Sequence, residues 1–164
     1  MISFEYLSKP DFPILAQAIF DILADNMSVI APTGNCREED FKLWFGAVSQ
    51  GLRLESRQII LIKDDGNIIG FFQYFTNSDT FMMEEIQFKP EYQGKGVFRE
   101  LYSFVLANIK DNLKFVEAYA SIKNAKSIAI LQNLGLSSIG VNKSGRSYHM
   151  RGKFCDLVKW YESK

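Results

Sequence analysis

The sequence predicts an α/β fold: a single mixed, mostly antiparallel sheet of six to seven strands flanked by about four helices. Three observations carry this. Short β-branched and aromatic runs alternate with longer stretches of helical apolar spacing. Three of those runs, Gln58 to Lys63, Ile68 to Thr76 and Phe81 to Phe88, follow one another through the short turns Asp65-Gly66 and Asn77 to Asp79, as a meander does. Beyond the meander, helices and strands take turns, which makes the sheet mixed.

Each element follows from its residues. Ile2 to Leu7 is a first strand. Pro10 and Pro13 stand where a helix begins, and Ile14, Ala18 and Ile22, with Leu15, Ile19 and Leu23, form its expected apolar face. Ser28 to Cys36, with Pro32 and Gly34, is loop-like, and Asp40 to Leu52 returns to helical spacing through Phe41, Trp44, Phe45 and Val48. After the meander come a glycine-rich turn, a helix from Val97 to about Asn112, and a strand from Phe115 to Ile122. Asn124 is a good N-cap, Ile128, Leu131 and Leu134 recur at helical spacing, and Gly135 is placed to end that helix. Ser137 to Val141 and Arg146 to Lys153 form a final hairpin around Asn142 to Gly145. The C-terminal tail, 153–164, carries Leu157, Trp160 and Tyr161, which are expected to pack on the same domain. No repeat, low-complexity stretch or linker divides the chain, so residues 1–164 are expected to be one domain.

A chain of 164 residues can bury roughly two-thirds of its unfolded surface. Its formal net charge is zero, so no global field draws it to nucleic acid or to an anionic membrane. Met1 to Pro10 lacks the basic start and apolar core of a signal peptide, and no run approaches the length of a membrane span. Cys36 and Cys155 make neither a metal-spaced pair nor a disulfide framework. The expectation is a cytoplasmic protein, monomeric or homodimeric, without metal, nucleic acid or membrane.

Pro90-Glu91-Tyr92-Gln93-Gly94-Lys95-Gly96-Val97-Phe98 is the most informative stretch. A glycine turn between a strand and a helix aims backbone N–H groups and the positive helix end at one spot, which suits phosphate. It is not the phosphate loop of nucleotide hydrolases, because no GxxxxGK followed by Ser or Thr is present.

Together with the segment Asn124 to Leu136, which closes on Leu134-Gly135-Leu136, this turn resembles the GNAT N-acetyltransferase superfamily. The family's cofactor motif is Arg/Gln-x-x-Gly-x-Gly/Ala after a strand, often preceded by Pro-Glu-Tyr, as Pro90, Glu91 and Tyr92 do here. Asp64 to Phe71 is similar to the hairpin joining the family's second and third strands. The resemblance implies acetyl-coenzyme A as cosubstrate and an amine as acceptor. It implies that Gln93, Gly94, Lys95, Gly96, Val97 and Phe98 surround the pyrophosphate, with Gln87, Phe88 and Lys89 along the pantetheine. In that family the fourth and fifth strands splay apart to admit the cofactor. Phe98 departs from the usual Gly or Ala. Lys95 pairs with phosphate or is a solvated turn lysine, and Asn124 contacts the cofactor or only caps its helix.

Acyl transfer also needs a neutral amine. An alkylamine of pKa near 10.4 is neutral in only about one part in a thousand near pH 7, a cost of about 4–5 kcal/mol. The resemblance assigns this task to a carboxylate on the fourth strand, where Glu84 and Glu85 stand, one of them as base or substrate-binding carboxylate. Oxyanion relief is expected from a backbone N–H close to Phe88. The family's frequent phenolic acid falls at Leu131, so the usual Tyr is missing. Tyr119 and Tyr148 are substitutes by location only, and His149, the lone histidine, reads as an ordinary strand residue. The enzyme expectation therefore has a rival: a degenerate relative that binds acyl-coenzyme A as a sensor or serves as an interaction module.

Overall fold

The computed structural model describes residues 1–110 and 112–163. Its elements are β1 (Ile2–Tyr6), α1 (Phe12–Ile30), α2 (Arg37–Gly51), β2 (Gln58–Asp64), β3 (Asn67–Asn77), β4 (Thr80–Phe88), α3 (Val97–Asn108), β5 (Phe115–Ser121), α4 (Ala125–Asn133), β6 (Ser137–Val141), β7 (Ser147–Lys153) and α5 (Phe154–Glu162). The seven strands form one mixed sheet in the order β1-β2-β3-β4-β5-β7-β6. β4 and β5 pair in parallel, while β1–β2, β5–β7 and β6–β7 are antiparallel. The described residues hold five α-helices rather than about four. The supposed tail is α5, because Phe154, Leu157 and Trp160 recur every third residue and give it one apolar stripe.

The chain divides into two compact units, Met1–Gln73 with Glu85–Leu101, and Tyr74–Glu84 with Tyr102–Lys164. In the first, α1 and α2 pack on β2 and β3. Phe12, Ala16 and Ile19 of α1 are buried among Val48, Ile59, Leu61 and Phe71. The ring of Phe12 stacks on Phe45 at 5.5 Å. The buried stripe of α1 runs through Phe12, Ala16, Ile19, Phe20 and Ile22; of the expected face, Ile19 and Ile22 are buried and Leu15 and Leu23 pack against the core, while Ile14 and Ala18 are exposed. Ile14 is 79% exposed. Steps of four drift about 40° around a helix, so Ile14 and Ile22 cannot share a stripe centre. Lys9–Ile30 is also long and apolar enough, by length and composition alone, to cross a membrane. This corrects the expectation that no run reaches such a length; Asp11, Asp21 and Asp25 interrupt the apolar pattern and hid it. Asp21 and Asp25 pair with Arg37 at 3.0 and 2.8 Å, joining α1 to the start of α2.

β3 and β4 approach so closely at Gly70 that a Cβ there would lie 2.6 Å from the Gln87 carbonyl oxygen and 2.9 Å from Phe88 Cδ1. Gly70→Ala must push backbone aside, so we expect it to lower stability by about 1–3 kcal/mol, read as a lower denaturant midpoint at unchanged slope. An unchanged midpoint would show that the contact relaxes freely.

In the second unit β4, β5 and β7 carry α3, α4 and α5 on one face. Tyr102 is buried, donates to Met83 Sδ at 2.9 Å and meets Trp160 edge-on at 5.5 Å. Burial pushes its phenol pKa up. Phe81 meets Phe154 edge-on at 6.1 Å, and Leu157 is fully buried, so α5 is fastened by three of its apolar side chains. Of the expected packing of Leu157, Trp160 and Tyr161, the structure shows Leu157 buried and Trp160 against Tyr102.

Candidate active site

Gly94 and Gly96 have φ of +74° and +82°, the left-handed region that glycine enters without steric cost. α3 starts at Val97, and its first i−4 bond runs from Glu100 N to Gly96 O at 3.2 Å. The N–H groups of Val97, Phe98 and Arg99 precede that bond, so helix geometry offers them no i−4 acceptor. A Cβ on Gly94 or Gly96 would meet nothing within 4 Å, so the space beside both is open. Lys95 is exposed, Phe98 half-buried and Val97 buried. This is the arrangement that receives an anion at a helix head.

Two side chains hold the turn. Tyr92 Oη donates to Asp64 Oδ2 at 2.6 Å, and that bond pushes the Tyr92 phenol pKa up. Gln93 Nε2 donates to Phe88 O at 3.1 Å, so the Gln93 side chain points back to β4. Lys89 N donates to Ile69 O at 2.8 Å, which takes that N–H out of the oxyanion role expected near Phe88.

Sequence reasoning passed over Asn26. It lies seven residues after Ile19 and fourteen after Phe12, hence near the centre of the buried stripe of α1. A polar residue at a core position was the available signal. Asn26 Nδ2 donates to Phe88 O at 2.8 Å and to Gln87 Oε1 at 2.9 Å. That fixes the Gln87 amide, whose Nε2 donates to Glu85 Oε2 at 2.8 Å. A chain of amides thus sets the orientation of the Glu85 carboxylate.

In the second unit the parallel ladder runs from Thr80↔Phe115 to Met83↔Ala118. Glu84 is the next residue of β4 and Tyr119 the next of β5. β7 pairs with β5 beyond this point, through Tyr119↔His149 to Ser121↔Ser147. Asn124 caps α4 by accepting from Ser127 N at 3.0 Å, which accounts for its oxygen. Leu131, at the expected phenol position, is buried. Tyr148 lines a cavity of about 460 Å³ with Ile122, Ala125, Ile128, Ala129, Gln132, Ser138 and Met150. Tyr119 and Tyr148 are on opposite faces of the sheet, since their β5–β7 pairs, Tyr119↔His149 and Ala120↔Tyr148, are adjacent.

His149 is not an ordinary strand residue. Its Nε2 lies 2.5 Å from Glu117 Oε1, and its ring stacks on Tyr119 at 4.6 Å. The partner was invisible in sequence because it sits 32 residues away on another strand. Among the described residues, no three His, Cys, Asp or Glu side chains are grouped to hold a metal ion.

A sheet of this strand order with an anion-ready turn between β4 and α3 is the frame of an acyltransferase. The model of the acetyltransferase (GNAT) family matches residues 16–136, and the chain belongs to that family. No curated protein matches it in sequence. Among solved structures it is similar to the PaiA N-acetyltransferase of Thermoplasma acidophilum in complex with coenzyme A, with TM-score 0.71, 16% identity, and 94% of this chain and 99% of that one covered. An acetyltransferase from Thermus thermophilus gives TM-score 0.71 at 14% identity, covering 94% and 97%. The spermidine/spermine N-acetyltransferase SpeG of Vibrio cholerae, in mutant forms, gives 0.61 at 18%, covering 99% and 98%. At these identities the likeness is one of fold.

Proposed function

We propose that this chain moves an acetyl group from acetyl-coenzyme A directly to a primary amine of a small molecule or peptide. The observation that carries the proposal is the turn Gly94–Gly96, with two left-handed glycines, open space beside both, and a helix head behind them. In this reading the backbone from Gln93 to Phe98 receives the pyrophosphate, Lys95 adds a point charge, and Gln87, Phe88 and Lys89 border the pantetheine. Asn124 stands at the head of α4 as a further cofactor contact. Glu84 or Glu85 meets the ammonium as base or substrate-binding carboxylate. The direct path forms the N–C bond as the C–S bond breaks, and a thiol of pKa about 8.5 leaves tolerably well without a phenol.

The test is binding. Coenzyme A should raise the melting temperature and give calorimetric heat, with about 2.7 kcal/mol of stabilisation at a hundred times Kd. No shift and no heat at millimolar concentration would sink the cofactor assignment. The buried Leu131 favours a second reading, a coenzyme A-binding sensor without turnover. Amine-dependent release of free thiol separates the two.

A further inference from the structure

We propose that Asn26 is a positioning residue of the transfer reaction: it fixes the Gln87 amide and, through it, holds Glu85 as the carboxylate that receives the acceptor's ammonium. The inference rests on the acetyl-transfer reading and deepens it by choosing between the carboxylate roles left open there.

Every group involved belongs to one compact unit, Met1–Gln73 with Glu85–Leu101, which also holds the glycine turn. Glu85 and Gln87 are two residues apart on β4, so they share a face of the strand, and α1 presents Asn26 to Gln87. The bonds run without a gap from the turn to the carboxylate. Gln93 Nε2 donates to Phe88 O at 3.1 Å, and Asn26 Nδ2 donates to the same oxygen at 2.8 Å. Asn26 Nδ2 also donates to Gln87 Oε1 at 2.9 Å, and Gln87 Nε2 to Glu85 Oε2 at 2.8 Å.

A backbone carbonyl and an ionised carboxylate only accept, so each of the two amides must turn an N–H toward its own end of the chain. Asn26 does this with Nδ2 alone, giving one hydrogen to Phe88 O and the other to Gln87 Oε1. With Oε1 engaged, Gln87 has Nε2 left for Glu85. A side chain without donors at position 26 removes that distinction. The Gln87 amide is then free to turn over, aim Oε1 at the carboxylate and release it. Asn26 lies three and four residues after Leu23 and Ile22, which pack in or against the core. Packing alone would favour an apolar residue there, and an amide is tolerated because its hydrogens are used.

A carboxylate held in one orientation gives up less side-chain freedom when it meets an ammonium, which favours binding of the acceptor and leaves the chemical step alone. Phe88 O has a lone pair for each of its two donors, so the turn keeps its Gln93 anchor when Asn26 is altered. Loss of Asn26 therefore acts on the amine far more than on the cofactor.

The experiment measures thiol release from acetyl-coenzyme A with butylamine, spermidine, lysine and a tripeptide with a free N-terminus, alongside coenzyme A calorimetry. Asn26→Leu, similar in shape and neutral, should raise KM for the amine by about 3- to 10-fold, the ordering of one long side chain. Its kcat and coenzyme A affinity should stay within about threefold of wild type. Gln87→Met cuts the same chain one link later and leaves the Asn26 bond to Phe88 O in place. It should raise KM to a similar degree, and it carries the test where Asn26→Leu does not fold. The deciding measurement is Asn26→Leu in the Glu85→Gln background. A residue that acts through Glu85 should there add less than about twofold to KM, whereas a merely structural residue adds its full effect again. KM within about twofold of wild type in both single variants, or an undiminished rise in the Glu85→Gln background, would overturn the inference. So would coenzyme A affinity that falls as far as KM rises. Absence of coenzyme A binding in the wild type, or binding with no thiol release from any of the four amines, would instead defeat the transferase reading, and this inference with it.

Discussion

Glu85→Gln is expected to lower kcat/KM for an amine acceptor by about 10- to 100-fold, chiefly through KM. A charge-assisted hydrogen bond contributes about 1.5–3 kcal/mol, and each 1.4 kcal/mol is a factor of ten. The structure gives Glu85 one carboxylate oxygen held by Gln87 Nε2 at 2.8 Å, with Gln87 fixed by Asn26 at 2.9 Å. A carboxylate already held in one orientation loses less entropy on meeting an ammonium than a free one. Glu84→Gln should cost less at KM. Asn26→Leu should reproduce part of the Glu85 loss, because it releases the Gln87 amide and leaves Phe88 O with one donor fewer. Since these variants weaken binding of the cation and do not remove the base, their loss should stay nearly constant from pH 7 to 9. Near-wild-type KM in both glutamate variants would remove the carboxylates from acceptor binding.

The glycine turn and the capped helix after it were legible in sequence because both are local. Positive φ at Gly94 and Gly96 and the Asn124 cap depend only on neighbours in the chain. The meander was legible for the same reason, its turns being set by Asp65-Gly66 and Ser78. What failed needed partners far away in the chain. Ile19, Ile22, Leu15 and Leu23 were placed on the packed face of α1, but Ile14 and Ala18 were included wrongly, because apolar residues occur all round the helix and only the packed side reveals the centre of the stripe. Asn26 was missed because its partners sit on β4, 61 and 62 residues away. The Glu117–His149 pair was missed because no spacing rule links β5 to β7 across α4 and β6. The α5 stripe was visible as apolar residues, yet a run of nine residues is too short to announce itself as a helix before its packing partners are known.

Gly96→Val should reduce coenzyme A affinity by about a hundredfold or more, the loss of about 2.8 kcal/mol or more. The backbone there has φ +82°, and a β-branched residue in that region is strained whatever the space around it. The strain is of order 1–3 kcal/mol, and the turn would relieve part of it by rotating to negative φ. Rotation turns the N–H groups at the head of α3 away from one another, so they no longer converge on one anion. Where the turn does not rotate, the isopropyl group occupies the open side of Gly96, which the phosphate must approach. Both routes lead to weak binding. Because the added Cβ meets nothing within 4 Å beyond its chain neighbours, the rest of the fold has nothing to clash with, and the unliganded melting temperature should fall by only a few degrees. Gly96→Ala should fall between wild type and Val, whereas Lys95→Ala, which leaves the backbone alone, should cost about tenfold at most. Calorimetry on the three variants, with circular dichroism as the check on folding, decides it: a folded Gly96→Val protein that binds coenzyme A like the wild type would place the cofactor somewhere other than the head of α3.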